Sequence, residues 1–324
     1  MKILMTGSAG FIGFHTSKML LERGDTVIGF DNFNEYYDPE LKKARNEILE
    51  GYDNFTIIRG DLKNITDLEK AFNLLTDNRQ PTTDTRVCHL AAQAGVRHSV
   101  ENPEEFITDN IGGFNSVIEL CKQREVGGLI YASSSSVYGD CKQFPSVEDQ
   151  NTDNQVSLYG MTKKTNELQA SVYNSLFDIR STGLRFFTVY GPYGRPDMAL
   201  FLFTDAIVND KPINVFGEGK QQRDFTYVDD IVAGIIAALD KNYQNEVFNL
   251  GCGRQEELMD FIATIEKSCG KEAEKTMLPM QLGDVPRTSA DISKAQKMLE
   301  YKPQTQISEG VPRFVEWYKE YYNV

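Results

Sequence analysis

The sequence predicts an α/β fold: a doubly wound parallel sheet, with a smaller mixed α/β lobe at the C-terminus that would bind substrate. Three observations point there. Strand-like and helix-like segments alternate through the first 187 residues, a three-glycine turn separates the first strand from the first helix, and the composition shifts near residue 190. Strand–helix–strand repetition requires crossover connections, and therefore parallel strands covered on both faces.

The elements follow in order. KILMTG (2–7) is a short apolar run closing on glycine, a buried strand, and FIGFHTSKMLLERG (11–24) has helical spacing and stops at Gly24. TVIGFD (26–31) and FTIIRGD (55–61) read as the second and third strands, with a helix in DLEKAFNLL (67–75). RVCHLAA (86–92) is the fourth strand, followed by one long helix across 103–124. GLIYASS (128–134) is the fifth, residues 156–178 form another long helix, and STGLRFF (181–187) is the sixth strand. Beyond it lie a Pro/Gly-rich stretch, GPYGRPDMALF (191–201), and a hairpin-like one, PINVFGEGKQQRDFTYVDD (212–230). In the last helix Trp317, Tyr318, Tyr321 and Tyr322 share helical spacing and serve packing. The expected division is 1–187 as a dinucleotide-binding domain, to which residues 225–250 return, and 188–324 as the second domain.

Composition narrows the function. With 40% hydrophobic and 25% charged residues the chain reads as an ordinary globular protein, and no apolar stretch reaches membrane-spanning length. A net charge of −13 argues against nucleic acid or an anionic membrane as partner. A small anion would have to be held locally, by helix N-termini and a few arginines. The five cysteines (88, 121, 141, 252, 269) lack any CxxC and fit reduced thiols in a cytoplasmic protein, with neither disulfides nor a metal site. MKILMTGSAGFIGF superficially resembles a signal peptide; its regular glycines and the polar residues 15–18 argue otherwise.

In TGSAGFIG, Gly7 permits a tight turn, Gly10 lets backbone approach a pyrophosphate, and Gly13 allows helix to pack closely on sheet. The spacing is GxxGxxG, a variant found in short-chain dehydrogenase-like folds. The second strand ends in Asp31, whose carboxylate suits ribose hydroxyls and repels a 2′-phosphate; no arginine follows directly, so NAD is favoured over NADP. A Rossmann-type NAD site is expected, built from Gly7, Gly10, Phe11, Ile12 and Gly13, from Asp31 and Asn32, and from Asp61 and Leu62 at the adenine edge. Leu90, Ala91 and Ala92, after the fourth strand, complete it.

LYGMTK places Tyr159 and Lys163 at i, i+4, on one helix face. Tyrosine, with a pKa of about 10, is a poor base; an ammonium one turn away favours its phenolate and can also bind nicotinamide ribose. Tyr138 and Lys142 share the spacing, but Gly139-Asp140 after a strand favours a turn, so no helix aligns that pair. The three histidines (15, 89, 98) read as structural.

Together these features resemble the extended short-chain dehydrogenase/reductase superfamily, in its NAD-dependent epimerase/dehydratase branch, over nearly the whole chain. HLAAQAGVRHSVENP, YASSSSVYG, RFFTVYGPYGRPDMA, RDFTYVDD and GDVPRTSAD are similar to segments of the UDP-glucuronate 4-epimerases. The resemblance implies that Ser134, third before the Val of the VYG tripeptide, is catalytic with Tyr159 and Lys163. It also implies diphosphate binding by Arg223, a uracil edge at Asn214 and Phe216, contacts to the UDP ribose or phosphate from Gln281 and Asp284, with ribose the better target for the acidic Asp284, and a size-gating position at Thr288; Arg97 is expected near phosphate. A UDP-sugar substrate and a homodimer, formed through the helices near 103–124 and 156–178, are expected on the same ground.

The serine run carries the choice of reaction. Where 4,6-dehydratases of this superfamily carry Asp-Glu and UDP-glucuronate decarboxylases Ser-Glu, this chain has Ser135 and Ser136, neither an acid nor a base near neutral pH. What remains is oxidation at C4, rotation of the ketone and reduction from the other face. A C6 carboxylate wants several donors, which Ser135, Ser136 and Thr188 would supply, with Arg195 nearby. Hydrogen bonds to a charged group contribute about 1.5–3 kcal/mol each, enough to separate a uronate from a hexose. The expectation is 4-epimerisation of UDP-glucuronate to UDP-galacturonate. The alternatives are a UDP-hexose or UDP-N-acetylhexosamine 4-epimerase, or a UDP-glucuronate decarboxylase, which lacks its glutamate here. A non-catalytic NAD-binding regulatory module would have lost Tyr159 or Lys163, and both are present.

Overall fold

The computed structural model describes residues 1–76, 83–281 and 283–324. Strands β1 (Lys2–Thr6), β2 (Thr26–Asp31), β3 (Phe55–Arg59), β4 (Thr85–His89), β5 (Leu129–Ser134), β6 (Ser181–Phe186) and β11 (Asn245–Leu250) form one parallel sheet, ordered β3-β2-β1-β4-β5-β6-β11. The six strands read from the sequence are all present; the seventh comes from the segment read as returning.

Helices α1 (Phe11–Glu22), α2 (Glu40–Glu50), α3 (Ile65–Leu75), α6 (Gly113–Gln123), α7 (Leu158–Phe177) and α9 (Val228–Lys241) cover the sheet. One apolar cluster joins Ile3, Met5 and Val27 to Phe14, Leu20, Ile231 and Ile235. A second joins Leu4, Ile28 and Val87 to Leu68, Phe72, Phe114 and Ile118. Side chains alternate across a strand, so adjacent residues of β1 feed opposite clusters. The near-continuous apolar runs in the sequence follow from this.

The remaining elements are α4 (Val96–Glu101), α5 (Pro103–Glu105), β7 (Thr188–Tyr190), α8 (Ala199–Val208), β8 (Ile213–Phe216), β9 (Gln222–Arg223) and β10 (Phe225–Tyr227), then β12 (Glu256–Glu257), α10 (Leu258–Cys269), β13 (Lys275–Leu278), α11 (Ser293–Leu299) and α12 (Ile307–Tyr322). Three features depart from the sequence reading. First, α2 lies in a stretch to which no element had been assigned. It is charged overall, but Leu41, Arg45 and Leu49, one turn apart, are buried on a single face.

Second, residues 212–230 do not form a hairpin. Gly217, Glu218 and Gly219 all take positive φ and splay the chain. Strand β8 pairs in parallel with β13, β9 antiparallel with β12, and β10 in parallel with β7.

Third, the long helix at 103–124 is interrupted. Helical structure begins at Val96 and breaks at Asn102, since the residue before a proline is driven out of helical geometry. Residues Phe106–Gly112 then form a π-helical turn before α6 begins. A π turn leaves a carbonyl without its i+4 partner. In this turn the Asn110 carbonyl accepts from Asn166 Nδ2 on α7 at 2.8 Å. The buried Asn110 amide also accepts from Gln93 N (2.8 Å) and donates to Gln93 O (3.0 Å) and Thr162 Oγ1 (3.1 Å). The π turn thus ties the segment after β4 to helix α7.

Replacing Asn110 with Leu strands three buried partners. The expected loss is about 2–3 kcal/mol, read as a lower denaturation midpoint.

Candidate active site

At the carboxyl ends of the strands, β1 has β2 on one side and β4 on the other, and their crossovers leave in opposite directions. Such a switch point opens a crevice. Here it widens into a cavity of about 1570 Å³ reaching from the glycine turn to β8. That is larger than the ~300–1,000 Å³ of an ordinary small-molecule pocket, and has room for a dinucleotide and a second ligand side by side.

The glycine turn is built for close approach. Gly7 takes φ +75°, and a Cβ there would lie 2.8 Å from the Ala91 nitrogen; one on Gly13 would lie 2.0 Å from the Gly7 carbonyl oxygen. Helix α1 begins at Gly10 without a side-chain cap, so its first N–H groups face the crevice. Asp31 accepts from the backbone N–H of Ala9 (3.0 Å) and Phe33 (2.8 Å). A carboxylate has about four acceptor sites, which leaves capacity for ribose hydroxyls. Burial raises the Asp31 pKa, and these hydrogen bonds pull it back. Asn32 Nδ2 donates to Asp61 (3.1 Å), and Asp61, Leu62, Leu90, Ala91 and Ala92 also line the cavity.

Two cations here escaped the sequence reading. Arg45, fully buried, donates to Ala9 O (2.9 Å), the Tyr37 hydroxyl (2.7 Å) and Tyr193 O (2.7 Å), joining the glycine turn to the 191–198 loop. Its register with Leu41 and Leu49 was the available signal. Lys42 also lines the cavity beside Asp31, where burial lowers its pKa to about 8, and donates to Asn34 O at 2.7 Å.

Helix α7 brings Tyr159 to the end of β5. Burial raises the Tyr159 pKa, whereas the Ser134 hydroxyl and the Arg195 charge act in the opposite direction. Lys163 Nζ donates to Ala132 O (3.0 Å), and burial lowers its pKa to about 8. A second cation, Arg195, also favours the Tyr159 phenolate, while the Lys163 ammonium is bonded to β5. Ser134 Oγ accepts from Ser136 N (3.1 Å) and caps a short 3₁₀ turn, Ser135–Tyr138, that aims Ser135 and Ser136 into the cavity wall. The alternative pair, Tyr138 and Lys142, is not on a helix, and the Tyr138 hydroxyl is engaged by Asn249 (2.6 Å) and Arg185 (3.0 Å).

Opposite Tyr159, Thr188 opens β7, and Arg195 is held bidentately by Asp197 (3.0 and 2.5 Å), which also accepts from the Tyr36 hydroxyl (3.0 Å). Arg195 lines the cavity, as expected, but its charge is already matched. Farther out, Asp284 pairs with Arg97 (3.3 Å), whose guanidinium lies over the Phe216 ring at 5.0 Å. Among the described residues Arg223 donates to the backbone oxygens of Gln222 (2.9 Å) and Pro286 (3.2 Å). Its neighbour Asp224 turns inward and accepts from Cys252 N (2.7 Å), Gly253 N (3.1 Å), Ala290 N (3.1 Å) and Thr226 Oγ1 (3.0 Å). Asn214 and Thr288 line the same end.

Gln281 is the exception among the expected site residues. It does not line the cavity, and its buried amide oxygen has no partner among the described residues; Gly283, at φ +81°, and Asp284 do line it. His15 and His89 are structural, bonded to Pro192 O and Thr6 Oγ1 (2.8 Å each), with burial lowering their pKa values to about 4 and about 3.

The sequence profile of the NAD dependent epimerase/dehydratase family matches residues 3–251. The chain belongs to that family. This epimerase/dehydratase is 48% identical, over 98% of its length and 96% of the relative's, to an uncharacterized protein of Methanocaldococcus jannaschii. It is 44% identical to UDP-glucuronate 4-epimerase 4 of Arabidopsis thaliana, over 99% of the chain and 76% of the relative. Among solved structures, UDP-glucuronic acid 4-epimerase from Bacillus cereus in complex with UDP-glucuronic acid and NAD superposes with a TM-score of 0.92, at 39% identity, covering 99% and 100% of the two chains. The glycine turn of this epimerase/dehydratase, its uncapped helix start and the spare acceptors of Asp31 fit the dinucleotide for which the family is named.

Gly13→Ala, which drives a methyl group into the Gly7 carbonyl, is expected to abolish NAD binding in calorimetric titration of cofactor-stripped protein.

Proposed function

We infer that this epimerase/dehydratase interconverts UDP-glucuronate and UDP-galacturonate with NAD held in the crevice. The carrying observation is the end of β5. A hydroxyl, Ser134, meets the half-buried Tyr159, and the next two residues in the cavity wall are Ser135 and Ser136 rather than acids. Its full-length similarity to proteins named UDP-glucuronate 4-epimerases supports the same reading.

Bound NAD supplies the acceptor and then the donor of hydride. Tyr159, assisted by Ser134 and by the Arg195 charge, takes the proton of the 4-hydroxyl and later returns it. Lys163, anchored on Ala132 O, serves the nicotinamide ribose. Ser135, Ser136 and Thr188 donate to the C6 carboxylate. Loss of CO2 from the 4-keto uronate would break C5–C6 and need a proton delivered to C5; with no carboxylic acid among these residues to deliver it, the 4-keto sugar keeps its carboxylate, turns and is reduced from its other face. Arg223, its charge unmatched by Asp224, and Arg97 bind the diphosphate. Asp284, already paired with Arg97, is directed to ribose hydroxyls, and Asn214 and Phe216 form the uracil edge.

A homodimer belongs to this proposal. Leu168, Val172 and Leu176, spaced by four along α7, are 56%, 51% and 67% exposed, and Ile107 on the π turn is 41% exposed. An apolar stripe on a long helix suits burial against a second copy. The cytoplasm is the proposed location: the five cysteines are unpaired, as a reducing compartment keeps them.

Incubation with UDP-glucuronate, followed by NMR, is expected to yield UDP-galacturonate without added NAD. UDP-xylose or a 4-keto pentose as product, or turnover of UDP-glucose alone, would overturn the reading. Tyr159→Phe should reduce turnover by about 10²–10⁴-fold. Ser136→Glu, which sets a like charge against the carboxylate, should cost at least about tenfold in kcat/KM for the uronate.

A further inference from the structure

The catalytic hydroxyls sit on separate elements, Tyr159 on α7 and Ser134 on β5, so their alignment depends on how the helix is locked to the sheet. Lys163 to Ala132 is one lock. One turn further along the same face lies Glu167, almost fully buried. Arg185 of β6, equally buried, meets it bidentately, Nε to Oε1 at 2.8 Å and Nη2 to Oε2 at 2.9 Å. Ser133 Oγ donates to the same Oε1 at 2.6 Å.

The partners form one row across the sheet. Ser133 pairs in register with Arg185, and Arg185 with Asn249 of β11. Tyr138, from the turn that presents Ser135 and Ser136, closes the row by donating to Asn249 (2.6 Å) and accepting from Arg185 Nη1 (3.0 Å). Arg185 Nη1 further donates to Glu148 O at 3.1 Å. The next residue along β5 is Ser134 itself. Burial works against the Arg185 cation, but the Glu167 hydrogen bonds and charge outweigh it and hold Arg185 ionised.

A buried ion pair is weak evidence of stabilisation, because desolvation offsets most of its attraction. What it supplies is one geometry: a planar fork on a two-oxygen acceptor fixes both distance and angle. We propose that Glu167 and Arg185, with Ser133, are positioning residues, which set the helix register that puts the Tyr159 hydroxyl against Ser134 and orient the serine turn through Tyr138. This rests on the proposed roles of Tyr159 and Ser134. Ser133, which has no part in the proposed contacts to substrate, is thereby the hydroxyl that carries the register of α7 into β5.

The groups that act on the Tyr159 titration are the Ser134 hydroxyl and the Arg195 cation of the 191–198 loop; Arg195 is bonded to Asp197, which also accepts from Tyr36, and Lys163 lies one turn along the same helix. None of these belongs to the Glu167–Arg185 pair. The pair therefore acts on Tyr159 through its alignment with Ser134, whose hydroxyl favours the phenolate.

Two variants test the proposal. Ser133→Ala keeps the ion pair and removes one tie. Glu167→Gln combined with Arg185→Met removes both buried charges together and should still fold, since neither charge is left buried without its partner. In the double variant kcat is expected to fall about 10–100-fold with KM and NAD content unchanged. Ser133→Ala should shift the same quantities in the same direction by less. The Tyr159 titration, read as the tyrosinate difference spectrum between each protein and its Tyr159→Phe derivative, should move upward by about 0.5 unit or more. It needs no sugar nucleotide, so it remains informative even if the substrate assignment fails. Unchanged kcat and titration in both folded variants would overturn the proposal. So would a loss of kcat matched by a lower Tm and lost NAD, which marks a purely structural pair.

Discussion

The site depends on one close approach, between the turn after β1 and the turn after β4. In a sheet ordered 3-2-1-4, these loops leave the neighbouring strands in opposite directions, and the crevice between them is where ligands enter. A Cβ on Gly7 would run into the Ala91 backbone, and one on Gly13 into the Gly7 carbonyl. No larger side chain fits at either point, so Gly7 and Gly13 are a packing requirement before they are part of a binding motif. Once the turns are that close, the N–H groups of α1, the Asp31 carboxylate and the wall at residues 90–92 converge without further design.

Around that approach the protein uses buried ions as stitches, each joining segments distant in sequence. Arg45 joins the glycine turn to the 191–198 loop, Asp224 gathers the backbone at 252–253 and 290, and Glu167 with Arg185 fastens α7 to the sheet. Each charge would be costly if left alone in the interior; each is met by two or more hydrogen bonds. The arrangement also explains how an acidic chain of net charge −13 can hold an anion. Arg97, Arg195, Arg223, Lys42 and Lys163 all line the one cavity, whereas solvent screens surface carboxylates over a Debye length of about 8–10 Å. Local placement outweighs the overall field.

The sheet was legible in the sequence because a parallel strand buried on both faces must be apolar throughout, as KILMT, TVIGF and LIYA are. Tyr159 with Lys163 was legible because helical spacing puts them on one face. The π turn was not, since the polar partners of Asn110 lie in two other segments, the loop after β4 and helix α7, and leave no local pattern. Helix α2 was obscured by its charges, and its most consequential residue, Arg45, reads as a surface arginine until its carbonyl partners are seen. The 212–230 segment misled for a related reason: strands flanking Gly-rich residues suggest a hairpin, but positive φ at three successive positions sends them to different partners. Gln281 carried only a motif match, and no local rule fixes where a loop side chain points.

The remaining question is why the sugar end of the cavity is furnished with hydroxyls when an arginine stands there. On the proposed reading the 4-keto sugar must present first one face and then the other, so contacts to its ring and carboxylate have to break and reform within each turnover. A bidentate guanidinium–carboxylate pair is both stronger than a hydroxyl contact and fixed in direction, and would hold one face in place. Arg195 does form such a pair, but with Asp197 of its own loop, and Tyr36 completes that carboxylate's shell. The arginine can then favour the Tyr159 phenolate through its charge while its hydrogen-bonding fork is occupied. That leaves Ser135, Ser136 and Thr188, whose single rotatable donors can follow a turning carboxylate. The missing acid in the serine run and the sequestered base in the arginine loop are two sides of one requirement: the sugar is held firmly at its diphosphate and loosely where it reacts.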